Sequence, residues 1–313
     1  MKIIFFGSSK FAVPSLLKLH TSKHSIAAVV TQPDKRKGRG LRLSCTPVKD
    51  AARDLKIFIY QPESLNAPAE LESLKSLLAD IFVVIAYGKI LPKSVLDIPR
   101  IMPVNLHASL LPRYRGAAPV QRAIINGDVE TGVTIIRMNE KMDAGDMLLQ
   151  KKIPIDKKDT ASTLEERLSE EGTKAILECL DKIENGDCTP ISQDETKVVL
   201  APKLTKNDGQ INWSKPAPDI INLIRGCYPW PGAFTYYKGK LLKIYAAGVT
   251  QSPTHPLTHS PGEILSTDKK EGILISTGKD ALLIEDLQPE GKRRMNAQEF
   301  IAGHKIKTGE LLG

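Results

Sequence analysis

The chain has 313 residues, 44 Lys and Arg against 36 Asp and Glu, and a net charge of +8, with 41% apolar residues. That balance fits a folded protein of about two domains and argues against disorder. No apolar run approaches the roughly 20 residues of a membrane span. Residues 1–7 stop short of a secretory apolar region, and the four cysteines (Cys45, Cys179, Cys188, Cys227) form no Cys-x-x-Cys pair, so a reducing, cytoplasmic compartment is expected.

In chain order, 3–6 reads as a short buried strand, 13–19 as a helix opened by Pro14, and 26–31 as a second strand. Thr46-Pro47 is an N-cap followed by proline at the first helical position, which starts a helix to about Leu55. Strands at 57–60, 81–86 and 102–107 alternate with a helix at 67–78, and strands follow at 132–138 and 147–155. The fully apolar run at 81–86 suits the middle of a parallel sheet. The alternation predicts βαβ units and a Rossmann-like, doubly wound, mainly parallel sheet. Ser162-x-x-Glu165 has the form of a capping box opening a long helix, which Gly186 stops. Residues 187–206 read as a connector. Beyond them a helix at 217–224 and short strands at 233–237, 241–249, 262–266, 273–277 and 281–287 predict a small OB-like β-barrel, with 251–261 as an exposed loop. The expected organisation is a catalytic domain at 1–186, a linker at 187–206 and a C-terminal domain at 207–313.

Several chemistries lose their signatures. The first βα turn reads Gly7-Ser8-Ser9-Lys10-Phe11-Ala12, with one glycine where a dinucleotide-binding turn carries three. There is no Walker loop, His-Glu-x-x-His or Gly-x-Ser-x-Gly. What remains is Asn105-Leu106-His107 at the end of a predicted strand. Residues two apart on a strand share a face. An amide and an imidazole therefore converge where open α/β sheets place ligands. One can stabilise a developing oxyanion and the other can exchange a proton near neutral pH. Alone, such a pair also reads as a satisfied polar pair at a strand end. Asp143 and Asp146, in Met142-Asp143-Ala144-Gly145-Asp146, could supply a carboxylate or could simply form a turn.

The run Asn105-Leu106-His107…Ser109-Leu110-Leu111-Pro112…Arg115-Gly116, with Asp143-Ala144-Gly145 downstream, resembles the folate-dependent formyltransferases. Gly116-Ala117-Ala118-Pro119-Val120-Gln121, Thr131-Gly132-Val133-Thr134, Thr31-Gln32-Pro33-Asp34, Ile211-Asn212-Trp213 and Pro229-Trp230-Pro231 are similar to the members that formylate methionyl-tRNA. The resemblance covers essentially the whole chain. It implies a catalytic trio at Asn105, His107 and Asp143, with Asp146 outside it. It implies N10-formyltetrahydrofolate as donor, bound along Gly88, Ile90, Leu91, Ser109, Leu110, Leu111 and Pro112, and initiator methionyl-tRNA as acceptor, with no metal and no membrane partner. A monomer is expected.

Residues 34–42 carry five basic side chains and one acidic, whereas 207–313 carry 13 basic and 11 acidic. The positive charge is thus concentrated in a glycine-containing segment longer than a usual βα turn. Such a segment reads either as a solvated loop or as a phosphate contact. The resemblance favours the second and makes Lys35, Arg36, Arg39 and Arg42 tRNA-binding candidates, with Lys292, Arg293 and Arg294 on the barrel. Trp213 and Trp230 read either as stacking groups or, beside prolines and apolar residues, as core, and the core is expected. The competing readings are a formyltransferase or formyltetrahydrofolate hydrolase acting on a small molecule, which the basic segment disfavours, and an inactive RNA-binding protein, which the intact trio disfavours.

Overall fold

The computed structural model describes residues 1–37, 42–250, 259–268 and 271–313. They form two units, one of Met1–Pro119, Glu130–Pro154 and Glu165–Pro202, the other of Val120–Val129, Ile155–Leu164 and Lys203–Gly313. Up to residue 202 the chain runs β1 (Lys2–Gly7), α1 (Val13–His20), β2 (Ser25–Val30), β3 (Lys35–Lys37), β4 (Arg42–Ser44), α2 (Pro47–Asp54), β5 (Ile59–Tyr60), α3 (Pro68–Ser76), β6 (Ile81–Ile85), α4 (Lys93–Leu96), β7 (Met102–His107), β8 (Arg113–Arg115), α5 (Pro119–Ile125), β9 (Glu130–Arg137), β10 (Met147–Pro154), α6 (Ala161–Asn185) and β11 (Val199–Leu200).

Seven strands of the first unit form one sheet in the order β10-β9-β7-β6-β1-β2-β5. The five from β5 to β7 are parallel, and β9 and β10 add an antiparallel edge. β6 is apolar and buried throughout, and β1 is buried from Ile3 onward, because both faces of this part of the sheet are covered. Phe6 packs edge-on to Tyr87, with ring centroids 5.5 Å apart, and against Phe82 at 5.0 Å. Chain order reverses between β1 and β6, so the turns after them open onto the crevice where α/β sheets bind ligands.

Three readings of this half change. The capping box at Ser162 is displaced: the helix starts at Ala161, and Thr160 and Thr163 exchange backbone-to-hydroxyl bonds of 2.9 and 3.3 Å, so threonine at the third helical position does the work expected of Glu165. The basic segment is not wholly loop. β3 and β4 pair antiparallel with Lys35 opposite Ser44 and Lys37 opposite Arg42, which satisfies backbone groups that no core surrounds. The connector is structured too: β11 pairs in parallel with β8, and a 3-10 turn at Glu195–Lys197 is capped by the Asp194 carboxylate.

The second unit contains α7 (Ala217–Gly226), β12 (Ala233–Tyr237), β13 (Lys240–Thr250), β14 (Ile264–Asp268), β15 (Gly272–Ser276), β16 (Ala281–Pro289), β17 (Met295–Asn296) and α8 (Ala297–Gly303). Its strands run β12-β13-β16-β15-β14, with β17 on β16, and every pairing is antiparallel. The tail then joins the two edges. Leu312 bridges to Tyr237 at the end of β12, and Leu311 to Glu263 beside β14, which closes the sheet into a small barrel. Closure requires glycine at 262, where φ is +89° and a Cβ would stand 2.5 Å from the Leu312 carbonyl oxygen. Of the predicted loop 251–261, residues 251–258 lie outside the described residues.

The barrel core is built on Ile244, Ile264, Ile275, Leu282, Ile284 and Phe300, with Trp213 at its edge. Trp213 is buried and its indole N–H donates to the Thr235 hydroxyl at 3.0 Å. Trp230 departs from expectation and is 50% exposed. It sits in a turn that leaves α7 and returns through Gly232, whose N–H donates to the Cys227 carbonyl. The flanking Pro229 and Pro231 have no N–H to offer a strand, so the turn stays at the surface. No helix among the described residues is long and apolar enough to cross a membrane. Ile284→Ala, in the fully buried barrel core, should cost about 2–5 kcal/mol, read as an earlier unfolding transition of the C-terminal unit in urea.

Candidate active site

The site lies wholly in the first unit and begins with strand register. On β7, Asn105 pairs with Val84 of β6 and Ile136 of β9, and His107 with Thr134 of β9. Both side chains are thereby held on one face of the sheet. Past the strand, the buried Thr134 hydroxyl donates to the Ser109 carbonyl at 2.6 Å and accepts the Leu111 N–H at 3.1 Å and the Gln150 amide at 3.0 Å. The Ser109 hydroxyl donates to the Arg113 carbonyl at 2.6 Å. These bonds fold 109–113 back on itself and deliver Tyr114, at φ +65°, beside the imidazole.

The Tyr114 carbonyl oxygen is 2.9 Å from His107 Nε2. A carbonyl only accepts, so Nε2 carries a proton and Nδ1 is the nitrogen left to exchange one. Nδ1 faces Asp143 Oδ2 at 3.6 Å, and the imidazole is 7% exposed. The same carboxylate oxygen accepts the Gly116 N–H at 2.9 Å. Among the described residues the Asn105 amide has no hydrogen-bond partner, which leaves both its donors for a ligand. Asp143 lies in the turn between β9 and β10 at φ +51°. The turn needs glycine at 145, where a Cβ would fall 1.8 Å from the Arg137 carbonyl oxygen. Asp146, two residues after Ala144, turns instead to the Ser192 hydroxyl at 2.9 Å. The structure thus brings Asn105, His107 and Asp143 to one place and leaves Asp146 outside it.

The residues expected to line a donor pocket divide by burial. Gly88 is at φ +79°, packed so closely on the Gln32 amide that a Cβ would approach to 2.5 Å. The Gln32 amide and the Ser8 hydroxyl both donate to the Tyr87 carbonyl, at 2.8 and 3.0 Å, and fix the start of this turn. Ile90 is 73% exposed, whereas Leu91 belongs to the core with Phe6, Tyr87 and Val95. Ser109 and Leu111 are buried and shape the wall, while Leu110 and Pro112 are half-buried. A cavity of about 460 Å³ opens between α4 (Lys93, Leu96, Asp97) and the start of the Asp143 turn (Met138, Asn139, Glu140). Its lining continues through Met102 and Pro103 at the start of β7 to Asp146 and includes none of Asn105, His107 and Asp143, so it stands apart from the trio.

In the basic hairpin, the Lys35 ammonium donates to the Gln32 side-chain oxygen at 2.9 Å, and Arg36 is exposed. Arg42 lies in β4, and Arg39 lies outside the described residues. In the second unit, Lys292 and Arg293 are exposed. Arg294 is committed within the unit: its Nε donates to Asp286 at 2.7 Å and its guanidinium lies 4.6 Å from the centre of the Tyr245 ring. The Asp286 carboxylate raises the Arg294 pKa further. Sequence reasoning missed Gln193, Glu195 and the partnering of Arg115. The buried Arg115 forks onto Glu195 at 2.8 and 3.1 Å, which holds the Glu195 carboxyl below its usual range, and donates through Nε to Gln193 at 3.0 Å. Only the Arg115-Gly116 pair stood in a recognisable motif, and residues in an aperiodic connector give no signal of their own.

An open α/β sheet with an amide, an imidazole and a carboxylate at its crevice offers an oxyanion donor and a proton-exchanging group, which are what acyl or formyl transfer needs. Comparison with known proteins narrows the class: residues 1–180 match the formyl transferase family and 203–305 match the formyl transferase C-terminal domain. The chain belongs to this family and is a formyl-transferring enzyme. It is 44% identical, over 313 residues, to the methionyl-tRNA formyltransferases of Caldanaerobacter subterraneus subsp. tengcongensis (all of both chains) and Geotalea uraniireducens (all of this chain, 98% of the other). Among solved structures, the N-formyltransferase of Helicobacter canadensis in complex with folinic acid and dTDP-3-aminofucose shares the fold. That match has a TM-score of 0.66 at 20% identity and covers 91% of this chain and 99% of that one. Gly145→Ala should shift the Asp143 turn and lower the formyl-transfer rate about 100-fold, the scale set by misplacing a reacting group by about 1 Å; steady-state kinetics on the folded variant would show it.

Proposed function

We propose that this protein transfers a formyl group from N10-formyltetrahydrofolate to the amino group of methionine on initiator tRNA, in the cytoplasm, at the start of translation. The observation that carries the reading is the convergence of Asn105, His107 and Asp143 in a chain whose full-length relatives are methionyl-tRNA formyltransferases. The donor lies along Gly88, Ile90, Leu91 and Ser109–Pro112, beside the carboxyl end of β7 that carries Asn105 and His107.

The methionine nitrogen attacks the formyl carbon, and the bond from that carbon to N10 of the donor breaks. Between these events the formyl oxygen carries the developing negative charge. The Asn105 amide N–H groups and a proton on His107 Nδ1 are the donors that meet it, which is where an enzyme gains most by preorganised polarity. The Tyr114 carbonyl fixes the imidazole, and Asp143 offers an acceptor beside Nδ1 when it is protonated. The proton lost by the attacking amine passes to the leaving nitrogen, which balances the transfer. Lys35 and Arg36, with Arg39 and Arg42, contact acceptor-stem phosphates, and Lys292 and Arg293 are the RNA-contact candidates of the second unit taken by itself. Arg294 serves there through its pairing with Asp286 and Tyr245.

Asn105→Ala, His107→Ala and Asp143→Ala should each lower formylation of methionyl initiator tRNA by about 10²–10⁴-fold in folded protein. Near-parental activity in all three, or formylation of small amines with none of the charged tRNA, would overturn the reading. Lys35→Glu with Arg36→Glu should raise the tRNA KM and flatten its dependence on salt, because fewer counterions are released on binding. The donor KM should stay put, and both constants come from one set of kinetics at several salt concentrations.

A further inference from the structure

The Asp143 turn is closed at its base by the Arg137 N–H to the Asp146 carbonyl at 2.9 Å and opened by the Lys141 N–H to the Asn139 side-chain oxygen at 3.0 Å, but its tip is held less tightly from within. Within the turn, the Asn139 amide reaches the Ala144 carbonyl at 3.3 Å and the Ala144 N–H reaches Lys141 at 3.4 Å. Both are at the long end of hydrogen bonding. The short bonds to the carbonyls of Asp143 and Gly145 themselves come from fifty residues away. The Gln193 amide donates one N–H to the Asp143 carbonyl and one to the Gly145 carbonyl, both at 2.8 Å, and its oxygen accepts the Arg115 Nε–H at 3.0 Å. An amide has no further donor to give, so the side chain is fully engaged between the turn and Arg115.

Gln193 is the centre of a longer strap. Ile191 and Met147 exchange backbone bonds of 2.8 and 2.9 Å, which pins the end of the turn. Arg115, 8% exposed, is fixed by Glu195, and the Ala201 N–H donates to the Arg115 carbonyl at 2.7 Å. Arg115 immediately precedes Gly116, whose N–H binds the Asp143 carboxylate at 2.9 Å. The strap therefore holds the carboxylate's backbone from one side and its hydrogen-bond donor from the other.

We propose that Gln193 is a positioning residue for formyl transfer, holding the Asp143 turn so that the carboxylate faces His107 Nδ1. The proposal rests on the catalytic reading of His107 and Asp143 given above. Without the Gln193 side chain, the Asp143 and Gly145 carbonyls and the Arg115 Nε–H lose these partners together, and the tip of the turn is left to the longer Asn139 and Ala144 bonds.

The test is a double-mutant cycle between Gln193→Ala and Asp143→Asn, with kcat and both KM values measured on the full chain. Gln193→Ala should lower kcat about 10- to 100-fold, the cost of a displacement near 1 Å, with both KM values essentially unchanged. In the Asp143→Asn background the same substitution should have almost no further effect, because coupled residues are not additive. Gln193→Glu keeps the size of the side chain and its Arg115 partner but turns oxygen onto two carbonyls, so it should lose kcat at least as heavily. Unchanged kcat in folded Gln193→Ala, or a loss that multiplies fully with that of Asp143→Asn, would overturn the proposal. So would loss of fold in both Gln193 variants, which would make the residue purely structural. An active Asp143→Asn enzyme is a different result: it defeats the catalytic reading itself, and the positioning role falls with it.

Discussion

The contact between His107 Nε2 and the Tyr114 carbonyl, 2.9 Å long and buried, is the constraint around which the first unit is arranged. It puts the proton on one ring nitrogen and turns the other toward Asp143. To place a carbonyl there, the chain must reverse within seven residues of leaving β7. That reversal uses a left-handed Tyr114, a buried Ser109 and the three-way Thr134 hydroxyl. A satisfied polar network at this depth is costly to disturb, since each lost partner strands another buried group. The rigidity of the site thus comes from ordinary hydroxyl and backbone bonds.

The antiparallel edge has a part in the same arrangement. β9 runs back along β7 and brings Thr134 opposite His107, and the return turn to β10 carries Asp143. A sheet parallel throughout would need a long crossover at this point, and a short turn would not be available to hold a carboxylate close to the histidine. The doubly wound part supplies the crevice, and the antiparallel part supplies the third side chain.

Much of the fold was legible in the amino-acid sequence, because strong periodic patterns report burial. The fully apolar run of β6, the Thr46-Pro47 helix start and the short barrel strands all carry local signals, and the structure follows them. Asn105 and His107 were legible for a related reason: spacing of two on a strand fixes a shared face. The missed features have no local signal. Thr160 outcompeted Ser162 as the helix start through a partner three residues on. Trp230 looks like a core residue by type, yet its neighbouring prolines keep it in a surface turn. Gln193 and Glu195 matter through contacts 50 and 80 residues away, which no window of sequence reveals.

Those long separations also bear on the order in which the site comes into being. Asn105, His107 and Asp143 are all synthesised before residues 191–201, which later pack onto Arg115 and the Asp143 turn. Domains tend to fold as units during synthesis, beginning from the N-terminus. The sheet can assemble from its first 154 residues, whose strands pair among themselves. The arrangement of the carboxylate must wait for the strap to emerge. With Gln193 in the positioning role proposed above, the nascent chain until then carries its chemistry-bearing residues without the geometry to use them, and maturation of the site becomes a late step in the biogenesis of this protein.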